Sequence, residues 1–142
     1  MRKGGNFAEA LRETVELAKA VERFGYKRYW VAEHHSSPSF AGTSPEVLIG
    51  QIAANTRNIR VGSGGIMLSH YSSLKVAEQF RILDAFFSNR IDLGVGRAPG
   101  SDQLTAAALA YPKRQADISH FPQQVLDLLG FLYGGIDQDH PF

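Results

Sequence analysis

The chain has 142 residues and a formal net charge of +1, with 15 basic and 14 acidic residues. A hydrophobic fraction of 44% and a charged fraction of 20% are typical of a globular protein, so we expect one domain over residues 1–142. The charges form no basic block that would favour nucleic acid, and the absence of cysteine excludes disulfides and thiolate chemistry and suits a reducing compartment.

The first element predicted along the chain is an amphipathic helix. Asn6 is its expected cap, Glu9 completes a capping box three residues later, and Gly25 is the expected stop. This start contains no apolar signal core, and no apolar run approaches the roughly 20 residues that a membrane span needs. We therefore expect a cytoplasmic protein without a membrane partner.

Strand-like runs then alternate with polar loops and helices. The runs are Tyr29–Ala32, Ile59–Gly62 and Ile91–Val95. The strand pattern of the second run extends to Leu68 and is broken by three glycines. Helices are predicted from Pro45, over Leu74 to Phe87, over Ser101 to Ala110, and from Pro122 to a stop at Gly134-Gly135. This alternation predicts parallel strands, adjacent in chain order, whose following loops share one edge of the sheet. The runs are mostly apolar, as in strands buried on both faces, and Trp30, Phe24 and Phe80 are expected in the core.

The loop after the first run contains Glu33-His34-His35. Adjacent histidines at a strand end point in different directions, and neither an HExxH spacing nor a third ligand accompanies them, so no metal site is expected. Two interpretations remain. One is a loop histidine bonded to backbone, and the other is a histidine that supplies a proton or a hydrogen bond near neutral pH.

Two glycine-containing segments are further candidates. Ser63-Gly64-Gly65 interrupts a strand pattern, which indicates a bulge, a flat ligand lying against bare backbone, or both. The segment from Gly94 to Gly100 lacks the dinucleotide fingerprint because Pro99 stands where the third glycine belongs. Arg97 in this segment is either an anion-binding residue at a strand end or a solvated surface arginine.

At Trp30-Val31-Ala32-Glu33-His34-His35 the sequence strongly resembles the bacterial luciferase-like monooxygenases. The resemblance covers about Ala8 to Leu109. It continues through Ser44-Pro45-Glu46, the stretch from Arg60 to Leu68, Val76-Ala77-Glu78-Gln79-Phe80, and the stretch from Arg90 to Gly100. Each motif alone is unspecific, whereas five motifs in this order are highly specific.

The resemblance implies a (β/α)8 barrel that binds reduced flavin mononucleotide (FMN), or the deazaflavin F420 in some relatives. Such enzymes use the reduced flavin and O2 to oxidise a small organic substrate. The residues that match family site positions are His34 as the catalytic histidine beside the flavin ring, and His35, Gly64, Gly65, Glu78 and Arg97 as the cofactor-binding set. The glycine pair supports the ring, often through a non-proline cis peptide, and Arg97 helps to hold the phosphate. Gly96 stands where luciferase itself has a cysteine, which argues against light emission.

The resemblance also implies that only three of eight strands are present, because a complete barrel takes about 250 residues. We therefore expect an α/β fold that is a partial TIM (β/α)8 barrel, with about three parallel βα units and additional carboxyl-terminal helices. A monooxygenase that is incompetent as an isolated fragment is the principal hypothesis. The alternatives are a non-catalytic flavin-binding or structural half-barrel and, third, another ligand-binding α/β domain. Unpaired strand edges and an apolar sheet face exposed to solvent predict a homo-oligomer, most simply a dimer.

Overall fold

A computed structural model describes residues 4–98, 101–112, 118–136 and 138–141. In these residues, helices and strands alternate up to residue 96. The elements are α1 (Phe7–Arg23), β1 (Arg28–Val31), α2 (Pro45–Ala54), β2 (Arg60–Met67), α3 (Ser73–Phe86), β3 (Ile91–Gly96), α4 (Gln103–Ala110) and α5 (Phe121–Tyr133). Single 3-10 turns at Leu68–His70 and Ile118–His120 follow β2 and precede α5. The loop predicted after Pro112 falls partly on residues 113–117, which lie outside the described ranges.

The three strands form one parallel sheet in the order β1-β2-β3, as the alternation predicts. Trp30 is opposite Gly62, and Gly62 is opposite Asp92, so these three residues occupy one row across the sheet. The first strand begins and ends one residue earlier than predicted, and β2 continues through its glycines to Met67. The α/β class and the strand order were therefore available from the sequence.

Local signals fix the helix ends. Asn6 and Glu9 form the predicted capping box, with Asn6 Oδ1 accepting from the Glu9 N–H at 3.0 Å and Glu9 Oε2 accepting from the Asn6 N–H at 3.1 Å. After α1 the chain turns at Gly25 with φ of +81°, and α5 ends at Gly134 with φ of +80°. Both dihedral angles favour glycine, so the predicted stops are confirmed.

One face of the sheet carries the hydrophobic core. Val61 and Ser63 of β2 are fully buried, and Val31 of β1 is 8% exposed. The buried side chains of the helices pack with them and include Ile49, Ile52, Ala53, Val76, Ala77, Phe80, Leu83 and Leu128. Strand side chains alternate between faces, so the residues next to these point to the opposite side of the sheet.

The opposite face of the sheet is here called the inner face. The strands were expected to be apolar on both faces, but the inner face is largely polar. It carries Arg28, Trp30, Arg60 and Asp92. Trp30 was expected in the core and is 55% exposed; Phe24, also expected there, is 78% exposed, whereas Phe80 is buried. Side chains two positions apart on a strand share a face, so Trp30 lies on the same side of β1 as Arg28. Phe24 is the residue that follows α1, at its C-cap.

Polar side chains hold the amino-terminal edge of the sheet together. The Glu22 carboxylate accepts from the N–H groups of Arg57, Asn58 and Ile59. Burial opposes ionisation of Glu22, but these backbone bonds outweigh it and lower its pKa. Arg90 donates to the carbonyls of Ala53, Thr56 and Ile59.

Among the described residues, no helix is both long and apolar enough to cross a membrane.

Candidate functional site at the carboxyl edge of the sheet

The segments that follow the three strands meet at one edge of the sheet. The Met67 N–H donates to Glu33 Oε2 at 2.8 Å, which joins the end of β2 to the segment after β1. The Ser69 hydroxyl donates to the Arg97 carbonyl at 3.5 Å, which joins the turn after β2 to the segment after β3. Parallel strands require this convergence, and it places the histidine pair, the glycine pair and Arg97 at a common edge.

The glycine pair forms a bulge in β2. Ser63 is opposite Leu93 and Ile66 is opposite Val95, so β2 contains one more residue than β3 between these pairs. The peptide bond between Gly64 and Gly65 is cis. A Cβ at Gly65 would lie 2.9 Å from the backbone of β3, whereas Gly64 is exposed and a Cβ there would lie 3.4 Å from Trp30 Cε3. The predicted bulge is therefore confirmed, and it leaves bare backbone on the inner face.

Glu33 is the residue of this edge that the sequence analysis missed. Its side chain is fully buried, and both carboxylate oxygens are bonded. Oε1 accepts from the Tyr71 hydroxyl at 2.6 Å and from His35 Nε2 at 2.7 Å, and Oε2 accepts from Met67 N–H. A carboxylate directly after an apolar strand was the available signal, since a buried acid needs several donors.

His35 and Tyr71 complete this buried cluster. A carboxylate only accepts hydrogen bonds, so His35 carries a proton on Nε2, and its side chain is 11% exposed. Burial raises the pKa of Tyr71, and the hydrogen bond to Glu33 raises it further, so the phenol stays neutral and donates. The cluster therefore holds the histidine loop against the end of β2.

His34 lies on the other side of the loop, away from the cluster. The backbone N–H of His34 donates to the Gly42 carbonyl at 2.9 Å, and the centroid of its ring is 4.7 Å from the centroid of the Phe40 ring. The imidazole lines a groove of about 630 Å³ between α1 and β1, where Trp30 is also found. The two histidines thus diverge, as adjacency at a strand end predicts. In the described ranges no three His, Cys, Asp or Glu residues are grouped to hold a metal ion.

The side chains of two predicted site residues, Arg97 and Glu78, take no part in the contacts described above. Arg97 is exposed just after β3, and Pro99 and Gly100 of the same loop lie outside the described residues. The amino end of α4 is already capped by Asp102, which accepts from the Thr105 N–H at 2.8 Å, so an anion at this edge would rely on the Arg97 guanidinium. Glu78 is 54% exposed on α3, where it pairs with Lys75 at 3.4 Å.

An ionic network covers the inner face just below the bulge. Asp92 accepts from Arg28 Nε at 3.1 Å, from Trp30 Nε1 at 3.0 Å and from Arg60 Nε at 2.8 Å. Burial of Asp92 favours its neutral form, but the bonds from Arg60 and Trp30 and the two positive charges outweigh this effect and lower its pKa. The network compensates the charge of Asp92 and fixes the Trp30 side chain.

We expect Asp92→Asn to lower the free energy of unfolding by about 1 kcal/mol at neutral pH. The folded-state pKa of Asp92 is lowered, so its stabilising contribution is present above the unfolded pKa of about 4 and is lost as the pH falls through the folded value. Urea unfolding at a series of pH values should show the two proteins converging in acid. Glu16→Gln, at a 68% exposed carboxylate, is the control. A difference that is constant with pH would contradict the assignment.

The geometry defines a class of protein: a parallel α/β sheet with a glycine bulge, a histidine loop and an arginine at its carboxyl edge. The family described as luciferase-like monooxygenase matches this chain over residues 2–128. The chain therefore belongs to the luciferase-like monooxygenase family.

Relatives and solved structures agree with this assignment. The chain is 47% identical to the N-acetyl-S-alkylcysteine monooxygenase of Bacillus subtilis (strain 168) over 139 residues, which are 98% of this chain and 41% of the relative. The crystal structure of apo-MsnO8 has a TM-score of 0.87 and 44% identity, and the match covers 99% of this chain and 41% of that one. The oxygenating constituent of 3,6-diketocamphane monooxygenase from Pseudomonas putida, solved in complex with FMN, has a TM-score of 0.76, 19% identity and coverages of 90% and 36%.

The chain thus spans about two fifths of the length of these relatives. Its three parallel strands, with their helices, are the corresponding part of the TIM-barrel fold of the family. The expected fold class, a partial (β/α)8 barrel, is confirmed.

Proposed function

We propose that this chain forms part of the flavin site of a monooxygenase that uses reduced FMN and O2 to oxidise a small organic substrate. One observation carries the proposal: the bulge at Gly64-Gly65 exposes bare backbone on the inner face, at the edge shared by the histidine loop and Arg97. A planar ring can approach such backbone closely because no side chain intervenes. A structural neighbour solved in complex with FMN supports the choice of flavin, with F420 as the alternative.

The residues fit this cofactor in distinct ways. Reduced flavin, when bound, supplies the electrons for oxidation by O2. The exposed Gly64 backbone supports the ring, and the Arg97 guanidinium balances the phosphate charge. His34 lines the adjoining groove and can supply a proton or a hydrogen bond there. His35, which is bonded to Glu33, fixes the loop that carries His34. Glu78 is exposed on α3, where its carboxylate pairs with Lys75. Its place in the cofactor-binding set therefore rests on the resemblance alone.

We expect this chain alone to bind FMN more weakly than micromolar, because three strands enclose only part of a pocket and enclosure is what ligand sites require. Equilibrium dialysis against FMN and against riboflavin, which lacks the phosphate, separates the two parts of the site. Arg97→Ala should weaken FMN binding about tenfold, the effect of about 1.4 kcal/mol, and leave riboflavin binding unchanged.

Arg81→Ala, on an exposed position of α3, is the matched control and should change neither affinity. Absence of binding for both flavins at millimolar concentration would contradict the proposal. Equal weakening of FMN and riboflavin by Arg97→Ala would remove the phosphate assignment alone.

A non-catalytic flavin-binding or structural half-barrel is the second candidate, and it is favoured by the coverage of about two fifths of the relatives. The two candidates differ in turnover. Consumption of O2 by the chain with chemically reduced FMN, above the rate of free reduced FMN, would support the enzyme and exclude the second candidate.

We also propose that the chain self-associates, most simply as a dimer. In the described part of the chain, β1 and β3 each have one strand neighbour, so each offers an open edge. A groove of about 720 Å³ runs along β3 and is lined on its far side by leucines of α5. Light scattering at micromolar concentration should give a mass of at least twice 15.6 kDa. A stable monomer with a cooperative melting transition would refute this proposal.

A further inference from the structure

Trp30 is the only tryptophan of the chain, and its position is unusual. Its side chain is 55% exposed on the inner face rather than buried in the core. It lines both the groove between α1 and β1 and the groove along β3, so it is accessible from two sides. Large aromatic side chains contribute much of the binding energy where a ligand or a partner covers them.

The orientation of the indole is fixed by its partners. Trp30, Gly62 and Asp92 are in register on three neighbouring strands, and Nε1 donates to Asp92 Oδ2 at 3.0 Å. Neighbouring strands are about 4.8 Å apart, so the indole must extend across the whole of β2 to reach Asp92.

The bulge lies directly beside this indole. A Cβ at Gly64 would be 3.4 Å from Trp30 Cε3 and 3.5 Å from Trp30 Cβ, which is ordinary contact distance. The exposed Gly64 backbone and the indole therefore form one continuous surface. The indole N–H is already bonded and the Asp92 charge is balanced by two arginines, so the exposed aromatic part of this surface requires no polar partner.

We propose that Trp30 is a binding residue for the planar ring system of the flavin, which packs against the indole beside the Gly64 backbone. The proposal rests on the proposed function and adds to it the residue that gives the ring an aromatic contact. A planar aromatic ligand suits this surface, because aromatic rings pack favourably on one another in offset or edge-to-face arrangements. A polar ligand group would gain no hydrogen bond from the indole, because the indole N–H already donates to Asp92. Asp92 is then a positioning residue, since it acts through Trp30.

The test measures riboflavin affinity by equilibrium dialysis for wild type and variants, together with the flavin absorption spectrum. Trp30→Leu should weaken binding about tenfold, as expected when an aromatic stacking contact is lost, and abolish the spectral shift that accompanies ring packing on the indole. The riboflavin affinity of Trp30→Phe should fall between those of wild type and Trp30→Leu. This conservative variant also tests whether weaker binding in Trp30→Leu comes from a folding defect. Tyr26→Ala, at a 63% exposed aromatic residue just before β1, is the control and should match wild type.

The outcomes separate this inference from the proposed function. Unchanged riboflavin affinity and spectrum in both Trp30 variants, with wild-type binding intact, would overturn the role of Trp30 and leave the flavin site standing. Absence of riboflavin and FMN binding to wild type at millimolar concentration would overturn both. Weakened binding in the Trp30 variants with an unchanged control supports both.

Discussion

Replacing Glu33 by alanine is expected to destabilise the protein by about 3–5 kcal/mol, because three donors each lose their acceptor at a cost of about 1–3 kcal/mol. The side chain is fully buried and accepts hydrogen bonds from Tyr71, His35 and the Met67 N–H. Its removal leaves those donors without their acceptor in the interior. Because domains are stable by only about 5–15 kcal/mol, the variant should lose much of its stability, which urea unfolding measures.

Two further variants make this prediction specific. Tyr71→Phe removes a single hydrogen bond to Glu33 and should cost about 1 kcal/mol. Glu16→Gln, at a 68% exposed carboxylate paired with Lys19, should change stability by less than about 0.5 kcal/mol. If Glu33→Ala costs no more than Glu16→Gln, the carboxylate does not hold the histidine loop against β2.

Gly62→Ala is expected to have an effect of similar size, with a loss of about 3 kcal/mol, the upper end of the usual cost of overpacking, because contact with rigid backbone cannot be relieved by a rotamer change. The added Cβ would lie 2.6 Å from Asp92 Cβ and 2.9 Å from the Asp92 carbonyl carbon, with the carbonyl oxygen nearer still. Relief requires β2 and β3 to separate or the Asp92 network to break. Thermal unfolding followed by circular dichroism should show a much lower melting temperature.

Gly50→Ala is the matched control for this substitution. Gly50 lies within α2, and its added Cβ would lie 3.4 Å from Leu83 Cδ2, the end of a flexible side chain. Alanine has a higher helix propensity than glycine by about 1 kcal/mol, so this variant should be neutral or slightly stabilised. Equal destabilisation of both variants would show that glycine is required for a reason other than the close approach of β3.

The candidate site shows how far sequence reasoning reached. The alternation of strand, loop and helix places His34, Gly64 and Arg97 at a common edge because parallel strands leave their following loops on the same side. The bulge at the glycine pair was likewise predictable, since glycine in a strand pattern marks irregularity. The binding and catalytic roles assigned to these residues stay predictions, and the flavin experiments above address them.

Glu33 and Trp30 mark the limit of that reasoning. Glu33 was noticed only as a neighbour of the histidines, because its importance comes from Met67 at the end of β2 and from Tyr71 just after it. Trp30 was expected in the core because the strand reads as apolar, and a short apolar strand does not reveal which of its two faces is covered by helices. Both residues depend on partners that are distant in sequence.

The sequence by itself determined the local and periodic features: the capped first helix, the glycine helix ends, and the three parallel strands in chain order. These follow from contacts within a few residues and from the chain connectivity of strand and helix. Only the tertiary structure decided which strand face is buried and which donors converge on Glu33 and Asp92. The physical reason is that register across strands and side-chain hydrogen bonds join residues about 30 positions apart, and no local propensity encodes such pairings.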